Sequence, residues 1–135
     1  MSIVNTTVKF HCSVEKIWNI VTSLTEYAWR SDLSRIEVIS EKKFVEYTNK
    51  GYATTFTITL TEPYKRWEFD IENGNIEGHW TGVFSEIDGE TEISFTEDVK
   101  PKKFFMKPFV KGYLKKQQET YIADLRKAME ERNKG

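Results

Sequence analysis

The apolar positions of this chain change period twice. Residues 3–10 alternate, with Val4, Val8 and Phe10 in the pattern, and predict a strand. Val14, Ile17, Trp18 and Val21 then recur at helical spacing behind Ser13, an N-cap residue, with Glu15 in the first turn. Thr25 is placed to cap a second short helical turn over 26–32, which carries Tyr27, Trp29, Arg30 and Asp32.

Alternation returns from 35 to 99 and predicts six strands, at 35–40, 44–49, 52–62, 66–72, 76–87 and 91–99. Their separators are turn formers: Asn49-Lys50-Gly51, Pro63, Asn73-Gly74-Asn75 and Asp88-Gly89. Breaks this short predict an antiparallel meander. Phe56, Ile58 and Leu60 share one phase against Thr55, Thr57, Thr59 and Thr61. Trp67, Phe69 and Ile71 oppose charged neighbours, and Ile93 and Phe95 oppose polar ones. Trp80 and Phe84 share a phase with Gly78 and Gly82, and glycines inside a long strand predict a bend or bulge where the sheet curls.

Beyond Pro108 the period becomes helical. Val110, Leu114, Gln117, Gln118, Tyr121, Ile122, Leu125, Ala128 and Met129 fall on one side, while Lys115, Lys116, Glu119, Arg126, Lys127 and Glu130 fall on the other. Pro108 disfavours helical geometry at Lys107, which predicts a first turn and then a restart. The fold expected is α+β. A strongly curved antiparallel sheet of about seven strands wraps one long C-terminal helix, with two short helices between the first and second strands.

A chain of 135 residues suits one domain spanning 1–135. It has no apolar run of about eighteen residues, and its first residues lack the pattern of a secretory signal, so the expected location is cytoplasmic. The lone Cys12 allows no internal disulfide and reads as a buried thiol. Charge is segregated: residues 1–101 hold ten basic against seventeen acidic side chains, and residues 102–135 hold ten against four. An acidic body argues against nucleic acid, which needs a basic face.

Three segments carry a family resemblance: Val14-Glu15-Lys16-Ile17-Trp18, then Thr81-Gly82-Val83-Phe84 followed by Asp88-Gly89-Glu90-Thr91-Glu92-Ile93, and Lys115-Lys116-Gln117-Gln118-Glu119-Thr120-Tyr121-Ile122. With the order of elements, they make the chain similar to the START-like (SRPBCC) superfamily of helix-grip proteins. Within it, the chain most resembles the branch named for polyketide cyclases, dehydrases and lipid transport. The resemblance implies a cavity between sheet and long helix that binds or transports a hydrophobic or amphipathic small molecule such as a lipid, quinone or polyketide. Two alternatives stand beside that reading: an aromatase/cyclase-type enzyme without metal, and an interaction module like the chaperone activators. The iron centres of the oxygenase branch are not expected, because Cys12, His11 and His79 cannot build them; no metal and no cofactor is expected.

The phases nominate the lining. Trp29, Phe56, Trp67, Phe69, Trp80, Phe84, Phe95, Leu114, Gln117 and Tyr121 are expected to contact the ligand, with Gln117 and Tyr121 orienting its polar end. Glu97 continues the inward phase of Ile93 and Phe95. It is read either as an acid-base group with a raised pKa or as a salt-bridge partner of Lys100 or a helix lysine. Arg30 and Asp32 either bind a carboxylate or enolate at the cavity mouth or pair with each other, and Glu46 lies in a strand of ambiguous phase. His79 is expected on the outer face. Lys102-Lys103-Phe104-Phe105-Met106-Lys107-Pro108-Phe109 interleaves lysines with large apolar groups. Transient contact with an anionic membrane surface and a gate formed by Phe104, Phe105 and Phe109 both suit it; so does filling the open end of the sheet. The sequence sets no oligomeric state.

Overall fold

The computed structural model describes residues 2–134. In chain order these form β1 (Ser2–Phe10), α1 (Val14–Val21), β2 (Leu33–Ser40), β3 (Lys43–Thr48), β4 (Ala53–Glu62), β5 (Arg66–Glu72), β6 (Ile76–Ile87), β7 (Glu90–Pro101), a 3-10 turn (Phe104–Met106) and α2 (Lys107–Lys134). The seven strands make one antiparallel sheet in the order β1-β7-β6-β5-β4-β3-β2. β2 to β7 follow one another as hairpins, whereas β1 pairs with β7, Val4 opposite Glu97 and Phe10 opposite Thr91. The sheet is open and curled, with α2 laid against β1 and β7 and α1 against β6. This is the helix-grip arrangement.

Turn chemistry sets the hairpins. Asp88 and Gly89 both take positive φ, 54° and 79°, as the tight turn from β6 to β7 demands of both central residues. Ser13 caps α1 by accepting from the Lys16 N–H at 3.3 Å. The 3-10 turn ends at Met106 and α2 starts at Lys107, so Pro108 sits in the first helical turn, where its missing N–H removes no intrahelical bond.

The curl does not come from bulges at glycine. β6 runs in register against both β5 and β7, and the register shifts lie in β2, at Leu33/Arg35 and Val38/Ser40, and in β4, at Ile58/Leu60. The glycines serve close approach instead. A Cβ on Gly78 would stand 2.5 Å from the Asp98 carbonyl oxygen, and one on Gly82 would stand 2.5 Å from the Trp80 ring. The β4 shift also breaks the expected phase, because it sets Leu60 opposite the outward Glu68.

The second short helix is absent; residues 23–32 are a loop of turns. Side chains take the hydrogen bonds that a helix would have used. Ser23 Oγ accepts from the Thr25 and Glu26 N–H groups at 3.4 and 3.0 Å, and Trp29 Nε1 donates to the Glu26 carbonyl at 3.1 Å. Ser31 N and Oγ both donate to Asp124 Oδ2 at 2.8 Å, which ties the loop to α2. The main core joins Phe10, Ile17, Trp18, Phe44, Ile93, Leu125 and Met129 with the inward aromatics of the sheet. A smaller cluster of Val4, Val99, Val110 and Leu114 seals one end beneath α2.

Candidate functional site

Between the curled sheet, the 23–32 loop and α2 lies a cavity of about 150 Å³. Strand phase builds its apolar wall. Phe44 stands opposite Phe56, and Phe69 stands opposite Trp80. The rings interlock: Phe44 stacks on Phe56 at 5.0 Å, Phe69 stacks on Trp80 at 4.7 Å, and Trp67 meets Phe69 edge-on at 5.1 Å. Such a wall is stiff, because each ring is held by the next.

Polar groups gather around Arg30 in the cavity lining. Arg30, 13% exposed, is held by a two-point bond to Asp32, with both N–O distances 3.0 Å, and by Glu46 at 3.4 and 3.5 Å. Its guanidinium lies 4.9 Å from the Tyr121 ring centroid and 5.7 Å from that of Trp29. Burial opposes the Arg30 charge, but Glu46 and Asp32 outweigh it and hold the group more firmly protonated than usual. Burial also raises the pKa of Glu46, against the pull of Arg30.

Glu97 faces the same space from β7. Val4 and Trp80 are its register partners, and its carboxyl Oε1 accepts from Gln118 Nε2 at 3.1 Å. Burial is the chief cause of its raised pKa; the Gln118 hydrogen bond works the other way, and Glu46 adds to the rise. Gln118 is a junction. Its amide also donates to the Val4 carbonyl at 3.3 Å and accepts from Thr6 Oγ1 at 2.5 Å. Tyr121 is raised well above an ordinary phenol by burial, and its hydroxyl has no hydrogen bond among the described residues.

The fold therefore brings Arg30, Asp32 and Glu97 to one cavity, together with Trp29, Phe56, Trp67, Phe69, Trp80, Phe95, Gln117 and Tyr121. Phe84 and Leu114 stand outside the lining. Phe84 is covered by α1 through Trp18, 4.9 Å away, and Leu114 packs in the small cluster at the sheet's end. Phe104, Phe105 and Phe109 neither line the cavity nor fill the sheet's end; all three are exposed. Gln117 lies at the exposed rim, donating to the Tyr113 hydroxyl at 2.8 Å, while its neighbour Gln118 is the buried one. Glu97 has Gln118 as its partner rather than a lysine. Glu46 and Tyr113, both outside the set of expected ligand contacts, join the lining. The phase of Phe44, two residues before Glu46 and buried, was the signal for the former.

His79 lies on the outer face, with its two ring nitrogens 2.7 Å from Asp70 and from Glu68. Cys12 is buried and unpaired. Among the described residues no group of three or more His, Cys, Asp or Glu is placed to hold a metal ion, and no helix is long and apolar enough to cross a membrane.

Comparison with known proteins agrees with this geometry. The family model described as polyketide cyclase / dehydrase and lipid transport matches residues 1–130. No curated protein matches the chain. Among solved structures, a START superfamily protein from Mycobacterium smegmatis superposes with a TM-score of 0.86 at 14% identity, covering 96% of this chain and 97% of that one. A conserved protein from Geobacillus kaustophilus gives 0.82 at 15% identity, covering 94% of each chain. The di-domain ARO/CYC BexL of the BE-7585A biosynthetic pathway gives 0.82 at 9% identity, covering 96% of this chain and 47% of that one. Likeness at these identities is likeness of fold.

Proposed function

Because the chain belongs to the polyketide cyclase / dehydrase and lipid transport family, we propose that it binds a small, mostly apolar molecule with one neutral polar end in the cavity between sheet and α2. The observation that carries this is the make-up of the lining, in which interlocked aromatic rings adjoin a polar group of Arg30, Glu46, Glu97 and Tyr121. Volume limits the guest. A space of about 150 Å³ holds roughly one aromatic ring, so a larger molecule places only its ring inside and leaves past the rim at Tyr52, Tyr113 and Gln117.

Charge limits it further. Arg30 is already matched by Asp32 and Glu46, so it offers no free cation to an anionic ligand. The unbonded Tyr121 hydroxyl, with the Gln118-bonded carboxyl of Glu97 in the same lining, favours a hydroxyl or carbonyl. Trp67 and Trp80 in the wall give the readout, since a guest beside them changes their fluorescence. Titration with benzene, phenol and naphthol is expected to quench that emission saturably, with Tyr121→Phe weakening phenol more than benzene. Absence of any saturable change, together with a ligand-free native mass of freshly purified protein, would count against the reading.

A second reading rests on Glu97 itself. A buried carboxyl with a raised pKa, lining the same cavity as a phenol, suits acid-base work on a polyketide-like substrate, as an aromatase or cyclase needs. Tyr121 rather than Arg30 then steadies the developing oxyanion, because Arg30 is saturated by carboxylates. Glu97→Gln separates the two readings: a carrier keeps its ligand affinity, whereas an enzyme keeps affinity and loses turnover.

A further inference from the structure

Phe104, Phe105 and Phe109 are 88, 62 and 72% exposed, and none belongs to either hydrophobic cluster. Phe104 and Phe105 touch mainly each other, edge to face at 6.2 Å. Three phenylalanines left in water within six residues are costly unless something covers them. The charge around them says what does. Lys103, Lys107 and Lys111 are exposed and form no ion pair among the described residues, while Lys102 is paired with Glu72 at 3.2 Å. They also surround the start of α2, whose first turn holds no acidic residue. A helix N-terminus already carries partial positive charge, so lysines there raise the energy of the isolated protein and invite an anion.

We propose that this segment and the adjoining face of α2 dock the protein on an anionic lipid surface, with Phe104, Phe105 and Phe109 entering the interface and Lys103, Lys107 and Lys111 meeting the phosphates. Large apolar rings interleaved with lysines match the layered chemistry of such a surface better than they match a protein groove, which would leave the lysines facing a desolvated wall. The patch also leads to the cavity. Phe109, Tyr113 and Gln117 succeed one another at four-residue steps along α2, and Tyr113 and Gln117 line the cavity rim. A membrane-dissolved molecule thus meets the rim where the protein meets the bilayer.

Co-sedimentation with vesicles tests this. Phosphatidylcholine vesicles containing phosphatidylglycerol are expected to carry the protein down, and pure phosphatidylcholine vesicles to carry much less. Each lysine changed to glutamine among Lys103, Lys107 and Lys111 weakens binding about fivefold, and added salt weakens it as well. The variant with Phe104, Phe105 and Phe109 all changed to serine is expected to lose vesicle binding while keeping its circular dichroism and thermal midpoint, since these rings support no core. No binding to the anionic vesicles, or binding unchanged in the serine variant, overturns the proposal. So does a concentration-dependent dimer that the serine variant abolishes in the absence of any vesicle binding, which would assign the patch to a second copy of the chain.

Discussion

Gln118 Nε2 donates to Glu97 Oε1 across 3.1 Å, a contact that joins α2 to β7 inside the cavity wall. The partner is neutral, and its hydrogen bond and the more distant charge of Arg30 only partly offset the cost of burying a negative charge on Glu97. Burial therefore leaves this carboxyl protonated above its ordinary value of 4.5.

The sign of the resulting pH dependence follows from proton counting. Below the ordinary carboxylate pKa both folded and unfolded chains hold the Glu97 proton. Between that value and the raised folded one, the unfolded chain releases it first, so stability falls as pH rises, by at most about 1.4 kcal/mol per pH unit. Above the folded pKa the cost is constant. Glu97→Gln keeps the acceptor for Gln118 and removes the titration. Urea unfolding followed from about pH 4 upward is expected to show a shallower decline for the variant than for the parent; identical slopes would contradict a raised pKa at Glu97.

Arg30 is the only cation bonded to Glu46 among the described residues, and it is shared with Asp32. Arg30→Met removes the charge and leaves Glu46 desolvated without compensation, at a cost of about 3 kcal/mol. Adding Glu46→Gln to that variant is expected to recover part of the loss, because the stranded carboxylate disappears with it. A double-mutant cycle on urea midpoints checks the coupling. Additive effects would mean that the two side chains do not depend on each other.

Trp80 lies across the bare Cα of Gly82. Gly82→Ala puts a methyl group 2.5 Å from the indole, which must swing into the cavity or push β6 away from it. The expected result is a loss of about 1–3 kcal/mol and a shift in tryptophan emission. If the added methyl group were accommodated without either change, the indole would not be resting where it lies.

On the outer face, His79 bridges Asp70 and Glu68. Its partial burial alone would lower its pKa, but the hydrogen bonds and charges of the two carboxylates outweigh that and raise it above 6.5. The stabilisation is complete below pH 6.5 and disappears as pH rises through the folded pKa. NMR titration of the ring protons is expected to give a midpoint above the ordinary histidine value, falling back towards it in the Asp70→Asn variant.

The sheet and α2 were legible because their residues repeat a physical constraint many times. Trp67, Phe69 and Ile71 alternate with charges, Asp88-Gly89 permits a tight hairpin, and Leu114, Leu125 and Met129 mark one helical face. Single decisions were less legible. Gln117 and Gln118 are adjacent on the same stripe, and the positions of Val4 and Thr6 on β1 and of Glu97 on β7 decide that Gln118 is the one drawn inside. Phe84 shares the phase of Trp80, but the sheet passes under α1 between them and Trp18 covers it. Glu46 was obscured by Val45 and Tyr47, half-buried residues of the opposite phase. The turn at 26–32 carried a plausible cap in Thr25, yet Ser23 supplied the hydrogen bonds that closed it into a loop.

The strand order also orders assembly in time. β2 to β7 can zip from one hairpin to the next, each closing only a short loop, but β1 finds its partner only through pairs such as Asn5 and Thr96, whose side chains bond at 2.8 Å across 91 positions. On a chain growing from its N-terminus, the apolar face of β1 waits through the synthesis of every other strand. Its docking, and the seating of Gln118 against Thr6 and Val4, is then expected to be the slow, non-local closing step of folding.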